Sequence, residues 1–360
     1  MNYLDLHQLN APYEADIKQA LLDVVDSGWY LFGKQVAAFE QEWAAYTGHR
    51  YCVACANGLD ALRLILRAWL EMGRLQPGDE VIVPANTYIA SILAVSDNGL
   101  VPVPVEPQDD SYLLNAELIT SAITPRTRAI LPVHLYGQRC EMERILQIAS
   151  SHHLLVLEDC AQSHGASPRA EGSTQAYSFY PGKNLGALGD AGAVCTDDEE
   201  LATVVRQIAF YGSTVKYTHR YKGLNSRMDE MQAAVLRIKL RDLDRTNRRR
   251  QEVAAMYDQG IKNPLIVTPA KVASHVYHIY PILSEQRDAL QQYLASRGIG
   301  TQIHYPIPPH HQRAYLEWND KKFPITEHIA ACELSLPCNQ MMTDDDVKQV
   351  IDALNAWTPS

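Results

Sequence analysis

Polar and apolar positions along this chain follow two alternating periods. Short runs that are apolar nearly throughout lie at 51–54, 81–83, 101–105, 129–133, 154–157, 176–179 and 193–195. Parallel strands covered on both faces have this pattern, because neither face meets water. Between them apolar residues recur at helical spacing. Leu59, Leu62, Ile65, Leu66, Trp69 and Leu70 make one face over 59–71, and Met231, Ala234, Val235 and Ile238 make another over 228–243. The alternation predicts an α/β domain with a mostly parallel sheet flanked by helices. Beyond about residue 250 the order changes to a strand at 276–283, a helix at 285–296, a strand at 300–305 and a closing helix at 343–357. Thr343 is a good N-cap for that last helix, and Asp344, Asp345 and Asp346 suit its positive end. The chain thus divides into a large domain, 1–250, and a smaller C-terminal α+β domain, 251–360.

Composition narrows the function. The 360 residues carry a formal net charge of −10, with 46% hydrophobic and 21% charged residues. A broad electrostatic attraction to nucleic acid or to an anionic membrane is therefore not expected, and an anionic substrate has to be held by local donors. The basic run Arg245, Arg248, Arg249, Arg250 is flanked by Asp242, Asp244 and Glu252, and reads as a solvated helix face. The first residues show no basic and apolar leader pattern, and no apolar run approaches the ~20 residues of a membrane span. The seven cysteines are odd in number and scattered. These features point to a reduced, cytoplasmic protein. Cys52-x-x-Cys55 has no second pair in metal-like register, so it reads as part of a strand and no metal is expected.

The chemistry concentrates between 154 and 196. The apolar run Leu154–Leu157 leads into Glu158-Asp159-Cys160-Ala161-Gln162, so Asp159 stands at the carboxyl end of a strand, where ligands of open α/β sheets bind. Downstream, Lys183 sits in Pro181-Gly182-Lys183-Asn184, a turn with room for a bulky ligand. Asp159 alone is compatible with capping the following segment, and Lys183 alone with a solvated surface lysine. Together they are what a pyridoxal phosphate enzyme needs: an amine to hold the cofactor aldehyde as a Schiff base, and a carboxylate to keep the ring nitrogen protonated. Ser178 and Tyr180 share a strand face, the first suited to a phosphate and the second to substrate. Asn57-Gly58-Leu59 opens the first amphipathic helix, whose free amides suit an anion or simply a well-capped start. Tyr88 follows a strand end and either stacks on the ring or packs as a structural tyrosine. Gln162, three residues after Asp159, faces the same way if the segment makes a helical turn. Gly186-x-x-Gly189-x-x-Gly192 lacks the strand–turn–helix setting of a dinucleotide loop, which argues against a nicotinamide-dependent oxidoreductase.

These motifs carry a resemblance that covers essentially the whole chain. PANTYIAS at 84–91, PVHLYGQ at 132–138, EDCAQSHGA at 158–166, SFYPGKNLGALGDAGAV at 178–194, GLNSRMDEMQAA at 223–234 and IHYPIPPHHQ at 303–312 resemble the DegT/DnrJ/EryC1/StrS family of sugar aminotransferases, of fold-type I. The resemblance implies that Lys183 carries pyridoxal 5'-phosphate and that Asp159 pairs with the ring nitrogen. It implies that Gln162 contacts the ring hydroxyl side, that Gly58, Leu59 and Ser178 hold the phosphate, and that Tyr88 stacks on the ring. Asn225 would reach the cofactor phosphate of a neighbouring subunit, placing the active site at a homodimer interface. Tyr180, His304 and Tyr305 match positions near the bound sugar. Relatives with histidine at the lysine position act as dehydratases, and Lys183 argues against that branch. Many relatives that aminate C4 carry Ser-Gly-Thr where this chain has Asn57-Gly58-Leu59. The version here is similar to the subgroup that transfers an amino group from L-glutamate to C3 of dTDP-linked 3-keto-6-deoxyhexoses, for surface polysaccharide such as O-antigen or for natural products. The alternative is amination of a dTDP-, UDP- or GDP-4-keto-6-deoxy sugar.

Overall fold

Seven short strands form one sheet in the computed structural model, which describes residues 1–166, 173–271 and 274–359. They are β1 (Tyr51–Cys55), β2 (Glu80–Pro84), β3 (Val101–Val105), β4 (Thr127–Ile130), β5 (Leu155–Asp159), β6 (Thr174–Ser178) and β7 (Gly192–Thr196). Their order is β1-β7-β6-β5-β4-β2-β3. The pairs from β6 through β5, β4 and β2 to β3 are parallel, whereas β7 runs antiparallel to both β6 and β1. All seven apolar runs thus become strands of one mostly parallel sheet. The ends shift most at β4, which stops at Ile130 and leaves Val133 with a single bridge to Asp159.

Because β1 is reversed relative to β7, it runs the same way as β6. Hence β1, β2, β5 and β6 all finish on one edge of the sheet, and β7 begins there. The connections that bear the site leave that edge after β1, β2, β5 and β6. Asn57 caps α1 (Gly58–Glu71), with its side-chain oxygen accepting from the Asp60 amide at 2.8 Å. Tyr88 precedes α2 (Ile89–Ser96). The third follows β5 at Asp159. Gly192 meets α1's cap here: a Cβ on it would lie 2.3 Å from the Asn57 carbonyl oxygen. The α1 face predicted from the sequence is buried, including Leu62, Ile65, Leu66 and Trp69.

The predicted helix 228–243 is α3 (Glu230–Leu240), and a separate helix, α4 (Leu243–Gly260), follows it. A second hydrophobic cluster starts within α4 at Val253, Ala254 and Tyr257. It continues through β8 (Tyr280–Leu283), α5 (Arg287–Ser296), β9 (Glu333–Leu336) and α6 (Asp344–Ala356). β8 and β9 pair antiparallel, from Tyr280 opposite Leu336 to Leu283 opposite Glu333. α6 begins at the expected cap, with Thr343 and Asp346 forming a capping box. Two strand expectations are corrected here. The strand predicted at 276–283 is confined to Tyr280–Leu283. The one predicted at 300–305 is a single bridge between Gln302 and Ser335. The segment runs straight into Pro306, Pro308 and Pro309, which have no amide to extend a ladder.

Cys52 and Cys55 settle the fate of the CxxC pair. Three residues apart on β1, they face opposite sides and join separate hydrophobic clusters. All seven cysteines are buried and none is bridged. No described helix is long and apolar enough to cross a membrane.

Candidate active site

The strand edge opens into a cavity of about 650 Å³. Each connection described above places side chains in its wall. From β5 come Asp159 and Gln162, from the turn after β6 come Tyr180 and Lys183, and from the cap of α1 come Gly58 and Leu59. Ser178, Tyr88, His304 and Tyr305 complete the predicted set lining the space. Asn225 does not line it. That residue is exposed and joined to Phe210 by an isolated antiparallel bridge.

Asp159 is 6% exposed and makes no ion pair among the described residues. One carboxylate oxygen accepts from the Ala161 amide at 3.0 Å, so the residue does cap its own turn; the other accepts from Ser91 Oγ at 2.8 Å. Ser91 in turn shares a hydrogen bond of 2.9 Å with Thr87. Neighbouring Glu158 points to the other side of β5. It accepts from His134 Nε2 at 2.7 Å, from Gln175 at 3.2 Å and from Ser173. Burial opposes its charge, yet these bonds hold the carboxyl below the usual carboxylate range. The two adjacent acids therefore have separate tasks, with Glu158 anchoring the strand and Asp159 facing the cavity.

Lys183 is half-buried, and its backbone amide closes the turn onto the Tyr180 carbonyl at 2.8 Å. Burial pulls its amine down from the ordinary lysine value to about 8, opposed by the charge of Asp159. The same burial, together with the lysine charge, depresses His304 to about 4 and His164 to about 3. Both imidazoles are thereby kept neutral. His164 reaches the Ser178 carbonyl at 2.9 Å and His304 Nδ1 reaches Ser335 Oγ at 2.8 Å.

Gly58 and Ser178 form a close cradle. A Cβ on Gly58 would lie 2.4 Å from Ser178 Cβ, so only glycine admits the approach. The first amides of α1 have no intrahelical acceptor, and Gly58 and Leu59 bring them to the cavity beside the Ser178 hydroxyl. Across the space, Gln162 is held at both ends. Its oxygen accepts from the Tyr136 amide at 2.5 Å and its nitrogen donates to Tyr305 Oη at 3.1 Å. The Tyr305 ring lies 5.1 Å from that of Tyr88, tilted by 38°.

The arrangement suits pyridoxal phosphate on three observations. A buried carboxylate without a cation awaits a positive partner, which a protonated pyridine supplies. An amine with a lowered pKa is ready to condense with an aldehyde. A helix start stripped of side-chain bulk accepts a phosphate.

Three wall residues escaped the sequence reading. Ser91 lies within the PANTYIAS motif, and its position one turn from Thr87 is the only signal. His278 is an isolated histidine with no motif around it. Arg250 is a correction: it is 1% exposed, whereas Arg245 and Arg248 are solvated as expected. The flanking acids disguised it, because a helix face changes from solvent to core within two residues.

The pattern of the DegT/DnrJ/EryC1/StrS aminotransferase family matches residues 12–355. A dTDP-3-amino-3,6-dideoxy-alpha-D-galactopyranose transaminase from Aneurinibacillus thermoaerophilus is 50% identical, covering 99% of each chain. The crystal structure of S. venezuelae DesV in complex with a ketimine intermediate aligns with a TM-score of 0.95 at 45% identity, over 99% of this chain and 97% of that one. The crystal structure of ntda from Bacillus subtilis, with cofactor PMP bound, aligns with a TM-score of 0.92 at 33% identity, over 98% and 84% of the two chains.

Proposed function

The chain belongs to the DegT/DnrJ/EryC1/StrS aminotransferase family, and on that footing we propose that it moves an amino group from L-glutamate to C3 of a dTDP-3-keto-6-deoxyhexose. The observation that carries the chemistry is Lys183 facing an unpaired, buried Asp159 across one cavity. The relative that shares half its residues and forms a dTDP-3-amino-3,6-dideoxyhexose supports the position and the nucleotide. The fold is that of a fold-type I transferase, and the enzyme is a nucleotide-sugar transaminase.

Pyridoxal phosphate, when bound, supplies an aldehyde to react with amines and a ring to accept electrons from a substrate carbon. Lys183 would provide the amine that holds it and, when free, a base able to move a proton at its Nζ. Asp159 would keep a proton on the ring nitrogen, and the Ser91 hydroxyl holds Asp159 in place. Gly58, Leu59 and Ser178 would hold the phosphate, and Tyr88 and Gln162 would contact the ring. Tyr180, His304 and Tyr305 line the space left for the sugar.

The second phosphate contact, Asn225, belongs to a neighbouring subunit in this reading. Trp29, Tyr30, Phe32, Phe210 and Tyr211 are all exposed. Phe32 and Phe210 meet edge to face at 5.1 Å, and the Arg227 guanidinium lies 5.9 Å from the Phe32 ring. An apolar patch beside Asn225 supports a homodimer with shared sites. Seven unbridged, buried cysteines support a reducing cytoplasm. The aminosugar product would enter surface polysaccharide or natural-product glycosylation.

Incubation with L-glutamate and matched dTDP-3-keto and dTDP-4-keto 6-deoxy sugars, read by product NMR, tests the proposal. Amination at C3 is the expected result. Turnover of the 4-keto sugar alone would overturn the assignment.

A further inference from the structure

Arg250 is the charge in the cavity that the proposed reaction leaves unused. It projects from α4 into the wall of the cavity, which Tyr3, His278, Gln302 and His304 also line. One terminal nitrogen donates to the carbonyls of Cys338 at 2.6 Å and Tyr277 at 3.2 Å. Among the described residues Nε has no partner, the other terminal nitrogen donates to no group, and no carboxylate pairs with the guanidinium. A guanidinium at 1% exposure is desolvated almost completely. Such a charge is unstable in a protein unless an anion completes it.

The surroundings add to the deficit. Lys183 shares the wall, and Lys239 lies near enough for Arg250 to oppose its charge. His278 is held well below its ordinary pKa by burial, then by Lys183, Arg250, His304 and His164. Among the described residues only two acids line the same space: Asp159, at the end of β5, and Asp190, which is exposed. The basin is positive and lacks its anion.

We propose that Arg250 receives a carboxylate of the amino donor. The inference rests on the aminotransferase reading, since a small amino dicarboxylate is the anion which that reaction brings to Lys183. A planar guanidinium fork matches a carboxylate with two parallel hydrogen bonds, a geometry that lysine does not reproduce. The nucleotide sugar carries no carboxylate, so the two half-reactions should depend on Arg250 differently.

The test uses the holoenzyme, Arg250→Gln and Arg250→Lys. Each half-reaction is followed by loss of cofactor absorbance, first with L-glutamate and then, in reverse, with the dTDP-3-amino sugar. Calorimetry measures binding of glutarate, an unreactive dicarboxylate, with its diamide as the uncharged control. The expected result is that Arg250→Gln raises half-saturating L-glutamate about 10- to 100-fold, the value of one charged hydrogen-bonding partner. Arg250→Lys should recover only part of the loss, and the amino-sugar half-reaction should change less than about threefold. Wild-type protein should bind glutarate but not the diamide, and Arg250→Gln should bind neither. The proposal is overturned if both half-reactions fall together, as a packing role between the Tyr277 and Cys338 carbonyls would cause. It is equally overturned if wild-type protein ignores glutarate. Glutarate binding through Arg250 in a protein that never takes up cofactor would instead sink the aminotransferase reading and leave the anion site standing.

Discussion

An ordinary lysine at pH 8 holds its neutral amine only a few times in a thousand. Burial draws Lys183 down to about 8, so half of the molecules present a free amine there. The sign follows from desolvation: the charged form is the disfavoured one, and rising pH through 8 empties the proton. Uptake of pyridoxal phosphate by the apo-protein should therefore be half-maximal near pH 8 and level off by about pH 9.5. Stopped-flow absorbance across pH 6–11 measures it, and a rate still climbing above pH 10 would mean that the amine is unperturbed. Lys183 and Asp159 were legible in the sequence because each ends or follows a recognisable apolar run. Arg250 was not, because burial of one arginine in a charged run depends on which helix face meets the cavity. Sequence spacing alone does not say where the cavity lies.

The elements that bear the site were read from continuous apolar strands and a helix cap, and those physical signals are local. Strand order is not local, and neither is the pairing of β8 with β9, where Glu333 begins a strand buried on both faces. Gly58 is the point at which α1 and β6 come together. Gly58→Ala would push a Cβ into Ser178, an overpacking worth about 1–3 kcal/mol. Affinity for pyridoxal phosphate should fall about tenfold or more, measured by absorbance titration, while circular dichroism stays native. Unchanged affinity would show that the phosphate lies elsewhere. Glu333 offers a second check at this scale. Burial raises its carboxyl to about 8, partly offset by bonds from Ser335 and from the His304 amide at 2.6 Å. The folded protein keeps this proton up to about pH 8, whereas the unfolded chain releases it near the ordinary glutamate value. Its contribution is therefore complete below about pH 4.5 and is lost as pH rises towards 8. Glu333→Gln keeps an acceptor but does not titrate. Its Tm relative to wild type should climb between pH 5 and 8 by several degrees, a few kcal/mol in this window. A difference that stays flat with pH would contradict the buried, protonated carboxyl.

At the scale of the whole molecule, one chain brings together every proposed cofactor contact except Asn225. A homodimer with exchanged asparagines supplies the remainder, and the exposed aromatic patch around Phe32 and Phe210 supplies the surface. Sedimentation should give twice the 40.3 kDa chain mass. Mixing inactive Lys183→Ala with an inactive Asn225→Asp variant should restore about a quarter of wild-type activity, because half of the dimers are hybrids with one intact site. No recovery after confirmed subunit exchange would place each site within a single chain. The subunit arrangement was beyond the reach of strand and helix periodicity, since Asn225 reads only as a capped helix start until its exposure is known. Everything at all three scales depends on the amine at position 183 being the one that bonds the cofactor. Borohydride reduction of the holoenzyme, tryptic digestion and mass spectrometry test this most directly. The account predicts one pyridoxyl-modified peptide, with the label on Lys183 and none in the Lys183→Ala variant. A label on another lysine, or none in wild-type protein, would contradict it.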